Sequence, residues 1–171
     1  WQSAPAGFPQ ARPDEASDTA TVGVVLPGAI DKTIVATSLP ETGSGFYRPA
    51  NPDLAIGEEV TYEIRVRLGE GTQSVLVQDT LPTGLQFVSG RVTAIGSSIS
   101  GTAIGVGAAP TVSGQGITFD FGNAVIDTGD NVSNDGDVIV MQVVARVLPG
   151  QSAGDLLTNA ARFTTESGTY T

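Results

Sequence analysis

The sequence predicts an all-β, antiparallel sandwich, and three observations carry that expectation. The first is strict alternation. In IGEEVTYEIRVRL (56–68), Val60, Tyr62, Ile64, Val66 and Leu68 fall on one face and Thr61, Glu63, Arg65 and Arg67 on the other, the period of a half-buried strand. The second is punctuation: 22 Gly and 10 Pro divide 171 residues into short runs, many rich in the β-formers Val and Ile. The third is that no stretch longer than a turn or two carries apolar residues at helical spacing. With 40% hydrophobic residues, the chain is long enough for one domain with its own core and too short for two typical ones.

Taken in order, residues 1–17 are rich in Pro, Ala, Gly and acid and read as a linker. TATVGVVLPG (19–28) is a short strand halted by Pro-Gly, and IDKTIVATS (30–38) is the next strand. A loop to about Ala55 follows, carrying Pro40, Gly43, Gly45, Pro49 and Pro52. After the strand at 56–68, GEGT (69–72) turns the chain into QSVLVQDTL (73–81). Pro82-Thr83-Gly84 interrupts, and LQFVSGRVTAI (85–95) resumes extended. Residues 96–116, rich in Gly, Ser and Ala, read as a loose hairpin or a mobile loop. GITFDFG (116–122) alternates again. The acidic loop DTGDNVSNDGD (127–137) leads into VIVMQVVARVL (138–148), and LLTNAARFTTES (156–167) is the last strand. Seven or eight strands with frequent turn signals make an immunoglobulin-like antiparallel β-sandwich over 29–171, preceded by an N-terminal linker and strand at 1–28.

Charge and missing residue types narrow the function. A net charge of −10 argues against nucleic acid as a partner, since nothing here would neutralise a phosphate backbone. Without cysteine there is no disulfide, and without histidine the usual general base and the Ser-His-Asp and Cys-His layouts are gone together. An enzyme acting on an external substrate would need an acid pair in a cleft, for which the sequence offers no sign. No apolar run is long enough to span a bilayer, so membrane insertion of this segment is not expected. The opening residues lack a basic-then-apolar signal pattern, so the chain reads as an excised or mature segment.

One constellation carries chemistry. Of the eight basic residues seven are Arg and one is Lys32. In strand geometry Lys32 shares the apolar face with Ile30 and Ile34, Asp79 shares one with Val75, Val77 and Leu81, and Asn159 shares one with Leu157, Ala161 and Phe163. An amine, a carboxyl and a carboxamide thus point at the core from three strands. Burial lowers a lysine pKa and raises that of an aspartic acid. A neutral amine is a nucleophile, and a protonated Asp79 can polarise the Asn159 carbonyl. Attack of Lys32 Nζ on the Asn159 side-chain carbon, with Asp79 relaying protons, would expel ammonia and leave an amide cross-link. It needs no cofactor and runs once. The plainer reading is a buried Lys–Asp ion pair with Asn nearby. Glu63 is the rival carboxyl, but its period puts it on the polar face with Arg65 and Arg67, so Asp79 is preferred.

GEEVTYEIRVRL, VLVQDTLPTGLQFVSG and LTNAARF together resemble the repeat domains of bacterial surface adhesins and fimbrial proteins that form internal isopeptide bonds, of the first collagen-adhesin type. The resemblance covers about residues 28–165. It implies a Lys on the first strand joined to an Asn on the last with help from an Asp on a middle strand, which by motif position are Lys32, Asn159 and Asp79. It further implies a stalk or repeat module at a bacterial cell surface or secreted, with neighbouring repeats or adjacent subunits as partners and a host or surface ligand left open. ATVGVVLP would then be the tail of a preceding repeat, or a strand that pairs with a neighbour. Pulling on such a module would load a covalent path instead of a hydrogen-bond ladder.

Two other signals stand beside this one. LPETG (39–43) spells a sorting motif, but the apolar stretch and basic tail that accompany one do not follow, so it reads as a loop. Asp127, Asp130, Asp135 and Asp137, with Asn131 and Asn134, offer oxygens for calcium, though Asp and Asn are also ordinary turn formers. Asn131-Val132-Ser133 is a glycosylation sequon by pattern only. The alternative to a cross-linked stalk is therefore a calcium-binding or strand-exchanging assembly module without a covalent bond.

Overall fold

Alternation in the sequence becomes alternation in burial. Across β2 (Glu59–Arg67) each inward residue is buried and each outward one half-buried, with Val60, Ile64 and Val66 fully inaccessible. The computed structural model describes residues 28–39, 42, 53–129 and 132–171. Within them β1 (Ala29–Thr37) precedes β2, and β3 (Gly71–Thr80), β4 (Leu85–Ile95), β5 (Ile99–Ser100) and β6 (Thr111–Ser113) follow. Then come β7 (Gly116–Asp127), a 3₁₀ turn (Asp135–Asp137), β8 (Val138–Val147), β9 (Ala160–Thr165) and β10 (Gly168–Tyr170).

The strands form two sheets, ordered β1-β2-β8-β4 and β10-β9-β3-β7-β5, with β6 added beside β7. Every pairing is antiparallel. The core lies between them, built from Ile64, Val66, Met141 and Val143 on one side and Val75, Val77, Ile117, Phe119, Phe121 and Phe163 on the other. This is an immunoglobulin-like antiparallel sandwich. Among the described residues no helix is long and apolar enough to cross a membrane.

Several expected elements change in extent. Residues 96–116 contain β5 and β6 rather than a free loop. β6 joins β7 through a two-residue turn at Gly114-Gln115, where Gly114 takes φ 57°, the left-handed conformation such hairpins require. β7 runs on to Asp127, five residues past the alternating GITFDFG (127 − 122). The segment 156–167 is not one last strand: pairing begins at Ala160, and a turn after Thr165 adds β10 against β9. Ile34 pairs with the inward-facing Tyr62, as expected, but on the edge strand β1 it is 39% exposed. The register of β1 on β2 slips between Ile34 and Ala36, and an inserted residue there breaks the alternation. The strand expected at 19–28 lies outside the described residues up to position 27.

Pairing fixes the directions that matter for the site. β1 runs antiparallel to β2, and β9 antiparallel to β3. Ala29 lies opposite Arg67 at one end of the sandwich, the end from which β3 starts. Phe163 pairs with Val77 and Tyr170 with Phe163, which brings the Tyr170 ring beside Gly28 at the start of β1 although the two lie in different sheets. Gly28 fits there because it has no side chain. A Cβ on it would lie 2.7 Å from Phe163 Cε1, 3.1 Å from the Arg67 carbonyl oxygen and 3.5 Å from Tyr170 Cε2.

Candidate cross-linking site

Asp79 ends the inward face of β3, after Val75 and Val77, and its side chain is wholly buried. A lone carboxylate there would be costly, so its partners decide what the site is. One comes from each flank. Lys32, on the sandwich's edge strand β1, reaches across from the other sheet and donates from Nζ to Asp79 Oδ1 at 2.5 Å. Asn159, one residue before β9, donates from Nδ2 to Asp79 Oδ2 at 3.2 Å. The structure thus brings all three predicted residues together, with the two nitrogens on the two oxygens of one carboxylate.

The carboxamide orientation differs from the one expected. Asn159 presents its nitrogen to Asp79, while its Oδ1 is buried without a hydrogen-bond partner among the described residues. Asp79 thus bridges the amine and the amide nitrogen, and its hydrogen bond to Asn159 runs to Nδ2 and not to the carbonyl side. An orphaned amide oxygen is a cost that a relaxed core would avoid. Carbonyl polarisation by Asp79 would require the amide to turn over about its last side-chain bond.

Two opposing effects act on the amine. Burial pulls the Lys32 pKa below its ordinary value, and this outweighs Asp79, whose charge and hydrogen bond hold the ammonium. The Lys32 side chain is 11% exposed, so little water reaches it. Sequence reasoning placed Tyr62 in the core but gave it no part in the site. Its ring centroid lies 4.7 Å from Lys32 Nζ, within range of a cation–π contact. Burial first and the Asp79 charge second push the Tyr62 hydroxyl up to about 12. It stays a neutral phenol near neutral pH and does not compete for the proton. Glu63 lies outside the site, as expected: it takes a 3.5 Å contact from Arg65 and a 3.4 Å hydrogen bond from Gln142.

A second buried carboxylate has a different task. Glu58 accepts from Ala55 N at 2.8 Å and Leu39 N at 3.3 Å, and from the Thr42 hydroxyl. It fastens the ends of the 38–55 connection to the sandwich. Leu39 and Thr42 belong to LPETG, whose other residues lie outside the described ones.

The acidic stretch is dispersed. Asp127 closes β7, buried and paired in the ladder with Gly71 and Ile99. Asp135 is exposed and meets Arg65 Nη2 at 3.5 Å. Asp137 is buried and caps the 3₁₀ turn, its Oδ2 accepting from Asn134 N at 2.8 Å while Asn134 Oδ1 accepts from Gly136 N. Asp130 and Asn131 lie outside the described residues. Among the described residues no group of three or more His, Cys, Asp or Glu is gathered to hold a metal ion.

No family model matches the sequence, and no curated protein matches it. Solved structures do. The chain is similar to the major pilin subunit of Bacillus cereus, with TM-score 0.49 and 18% identity over 82% of this chain and 35% of that one. It is similar to the pilus backbone of Streptococcus pneumoniae, with TM-score 0.48 and 15% identity over 82% of this chain and 31% of that one. It is also similar to the collagen-binding domain of an Erysipelothrix rhusiopathiae surface protein, with TM-score 0.35 and 15% identity over 64% and 36%. The chain spans about a third of the length of each. At these scores the likenesses add nothing to the fold read from the sheets themselves, which is the immunoglobulin-like sandwich that the sequence predicts.

Proposed function

We propose that the chain is a structural module of a bacterial surface adhesin or pilus-like fibre, stapled by an isopeptide bond that it forms between its own Lys32 and Asn159. The observation that carries this is the shared carboxylate: a nucleophile and a leaving group hydrogen-bonded to the two oxygens of buried Asp79. Asp79 Oδ1 takes a proton from the Lys32 ammonium, and the neutral amine attacks Asn159 Cγ. The Nζ–Cγ bond forms and the Cγ–Nδ2 bond breaks. Ammonia leaves with both amide hydrogens and one from the amine, and the proton first taken by Asp79 stays there or departs as ammonium. No external substrate takes part, and each chain reacts once.

The bond would join the sheets, since β1 belongs to one and β9 to the other. Gly28 and Tyr170 lie side by side, so tension entering at one and leaving at the other would peel β1 from β2 and β9 from β3. A bond between Lys32 and Asn159 would stop the peel of β1 at Lys32 and would carry the load covalently at Asn159, just ahead of β9. That suits a stalk at the cell surface, with neighbouring modules or subunits as partners.

The test is the intact mass of the purified chain. A deficit of about 17 Da, one ammonia, with fragments joining Lys32 to Asn159, is the expected result. A mass equal to the plain sequence after prolonged incubation of the folded protein would overturn the proposal.

A further inference from the structure

The carboxylate places two nitrogens, but two hydrogen bonds leave the amine free to swing on its four-carbon stem. A lysine chain carries several rotatable bonds and loses rotamer freedom when it is fixed. Something must hold Nζ on the amide side of Asp79. Among the described residues, Nζ bonds Asp79 of β3 and lies over the Tyr62 ring of β2, while Asn159 before β9 bonds the other oxygen of the same carboxylate. Tyr62 is 6% exposed and sits on the central strand β2, bonded to β1 on one side and β8 on the other. Its Cα partners are Ile34 and Val143, so its backbone is fixed from both sides.

Deepening the reading above and resting on it, we propose that Tyr62 is a positioning residue of the cross-linking reaction: its ring face confines Lys32 Nζ against Asp79 and Asn159, and its hydroxyl takes no part. The division between ring and hydroxyl follows from the contacts. The ring centroid is 4.7 Å from Nζ, whereas no hydrogen bond from the hydroxyl is recorded to Lys32, Asp79 or Asn159. An aromatic face attracts an ammonium and still packs against the neutral amine that replaces it. It therefore holds the nitrogen through the proton transfer, when the attraction of a full ion pair is lost. Displacement of a reacting atom by about 1 Å costs up to about a hundredfold in rate, so a loose lysine would be visible in the kinetics.

The test compares Tyr62→Phe with Tyr62→Leu. Unreacted chains are purified in denaturant and refolded well below their melting temperature, and loss of 17 Da is timed by mass spectrometry once circular dichroism shows folding complete. Tyr62→Phe is expected to react within about twofold of the parent, and Tyr62→Leu at least about tenfold more slowly. A purely structural role would slow folding and leave the rate of the folded chain alone. A spectroscopic readout accompanies this, in chains that also carry Asn159→Ala and so cannot react. The ring should shift the Lys32 ε-methylene protons upfield both where Tyr62 is kept and in Tyr62→Phe, and they should return to ordinary positions in Tyr62→Leu. Equal folded-state rates for Tyr62→Leu and Tyr62→Phe, in a parent that does lose ammonia, would overturn the role of Tyr62 and leave the cross-link standing. A parent that never loses ammonia would overturn both.

Discussion

Replacing Asp79 by alanine separates the two things the carboxylate does for Lys32. It removes the group that raises the lysine pKa and leaves burial, which lowers it, unopposed. The amine becomes neutral more readily. If a neutral amine beside Asn159 were sufficient, Asp79→Ala would cross-link faster than the parent. If the carboxylate must carry the proton from Nζ to Nδ2, it would not cross-link at all, and no mass loss is the expected outcome. Stability gives a second measure. The bond closes a loop spanning 127 residues (159 − 32), and the chain-entropy relation assigns a closure of that length about 5 kcal/mol. Asn159→Ala loses this and the packing of its half-buried side chain. Asp79→Ala also strips the partner from a buried ammonium, about 3 kcal/mol or more where a charge stays buried, less here because Lys32 can neutralise. For a chain of this size about 5 kcal/mol lowers the melting temperature by roughly 10–20 °C. Asn159→Ala should melt that far below the parent, and Asp79→Ala lower still. Guanidinium unfolding and intact mass on all three proteins supply the comparison. An Asp79→Ala chain lacking 17 Da would refute the relay, and an Asn159→Ala chain as stable as a cross-linked parent would refute the stabilisation.

Other outcomes follow from single contacts. Gly28→Ala pushes a Cβ into Phe163 and the Arg67 carbonyl; measured in the unreactive Asn159→Ala chain, it should cost about 1–3 kcal/mol, and in the parent it should slow cross-linking by drawing β1 away from β9. Glu58→Ala leaves Ala55 N without its 2.8 Å acceptor; a loss of about 1–3 kcal/mol in urea unfolding is expected, with proteolysis appearing first in the 38–55 connection. Tyr62 is held up to about 12, so the folded state binds its proton more tightly than the unfolded chain does. Its contribution to stability should be complete below about pH 10 and decline as pH rises through about 12. Absorbance titration should show Tyr62 ionising late, and earlier in Asp79→Ala because the Asp79 charge is the second cause of the rise.

What the sequence made legible was facing. Where one side of a strand is buried, a period of two tells which side chains share it, and that sufficed to aim Lys32, Asp79 and Asn159 inward without any knowledge of pairing. The limits were also physical. Alternation tells the face and not the depth, which is why Ile34 pairs with inward Tyr62 and is still 39% exposed on the edge strand β1. It is silent on short strands such as Thr111–Ser113 and Gly168–Tyr170, whose few small or polar residues carry no hydrophobic pattern. It cannot choose between the two ends of a carboxamide, so the turn of Asn159 toward Asp79 needed the structure. Nor does it show contacts between strands, which kept Tyr62 an ordinary core residue and Gly28 an ordinary turn residue. Both are recognised only by what they touch.

The separation of Lys32 and Asn159 along the chain also bears on how the domain reaches its fold. Their meeting is among the most distant contacts the sequence allows, and closing so long a loop is what makes β-sandwiches slow to form. During first folding the chain meets that barrier in full, because the reaction needs Asp79 already seated between its partners. Once joined, it no longer does. Denaturant can then erase the sheets but leaves the two segments tethered, and every later refolding starts from a ring with short tails in place of an open string. A cross-linked chain should therefore refold markedly faster than Asn159→Ala in stopped-flow, with most of the added stability appearing in the folding limb. The chemistry would occur only in a correctly assembled sandwich, so the mass deficit doubles as a permanent record that a given molecule has folded once.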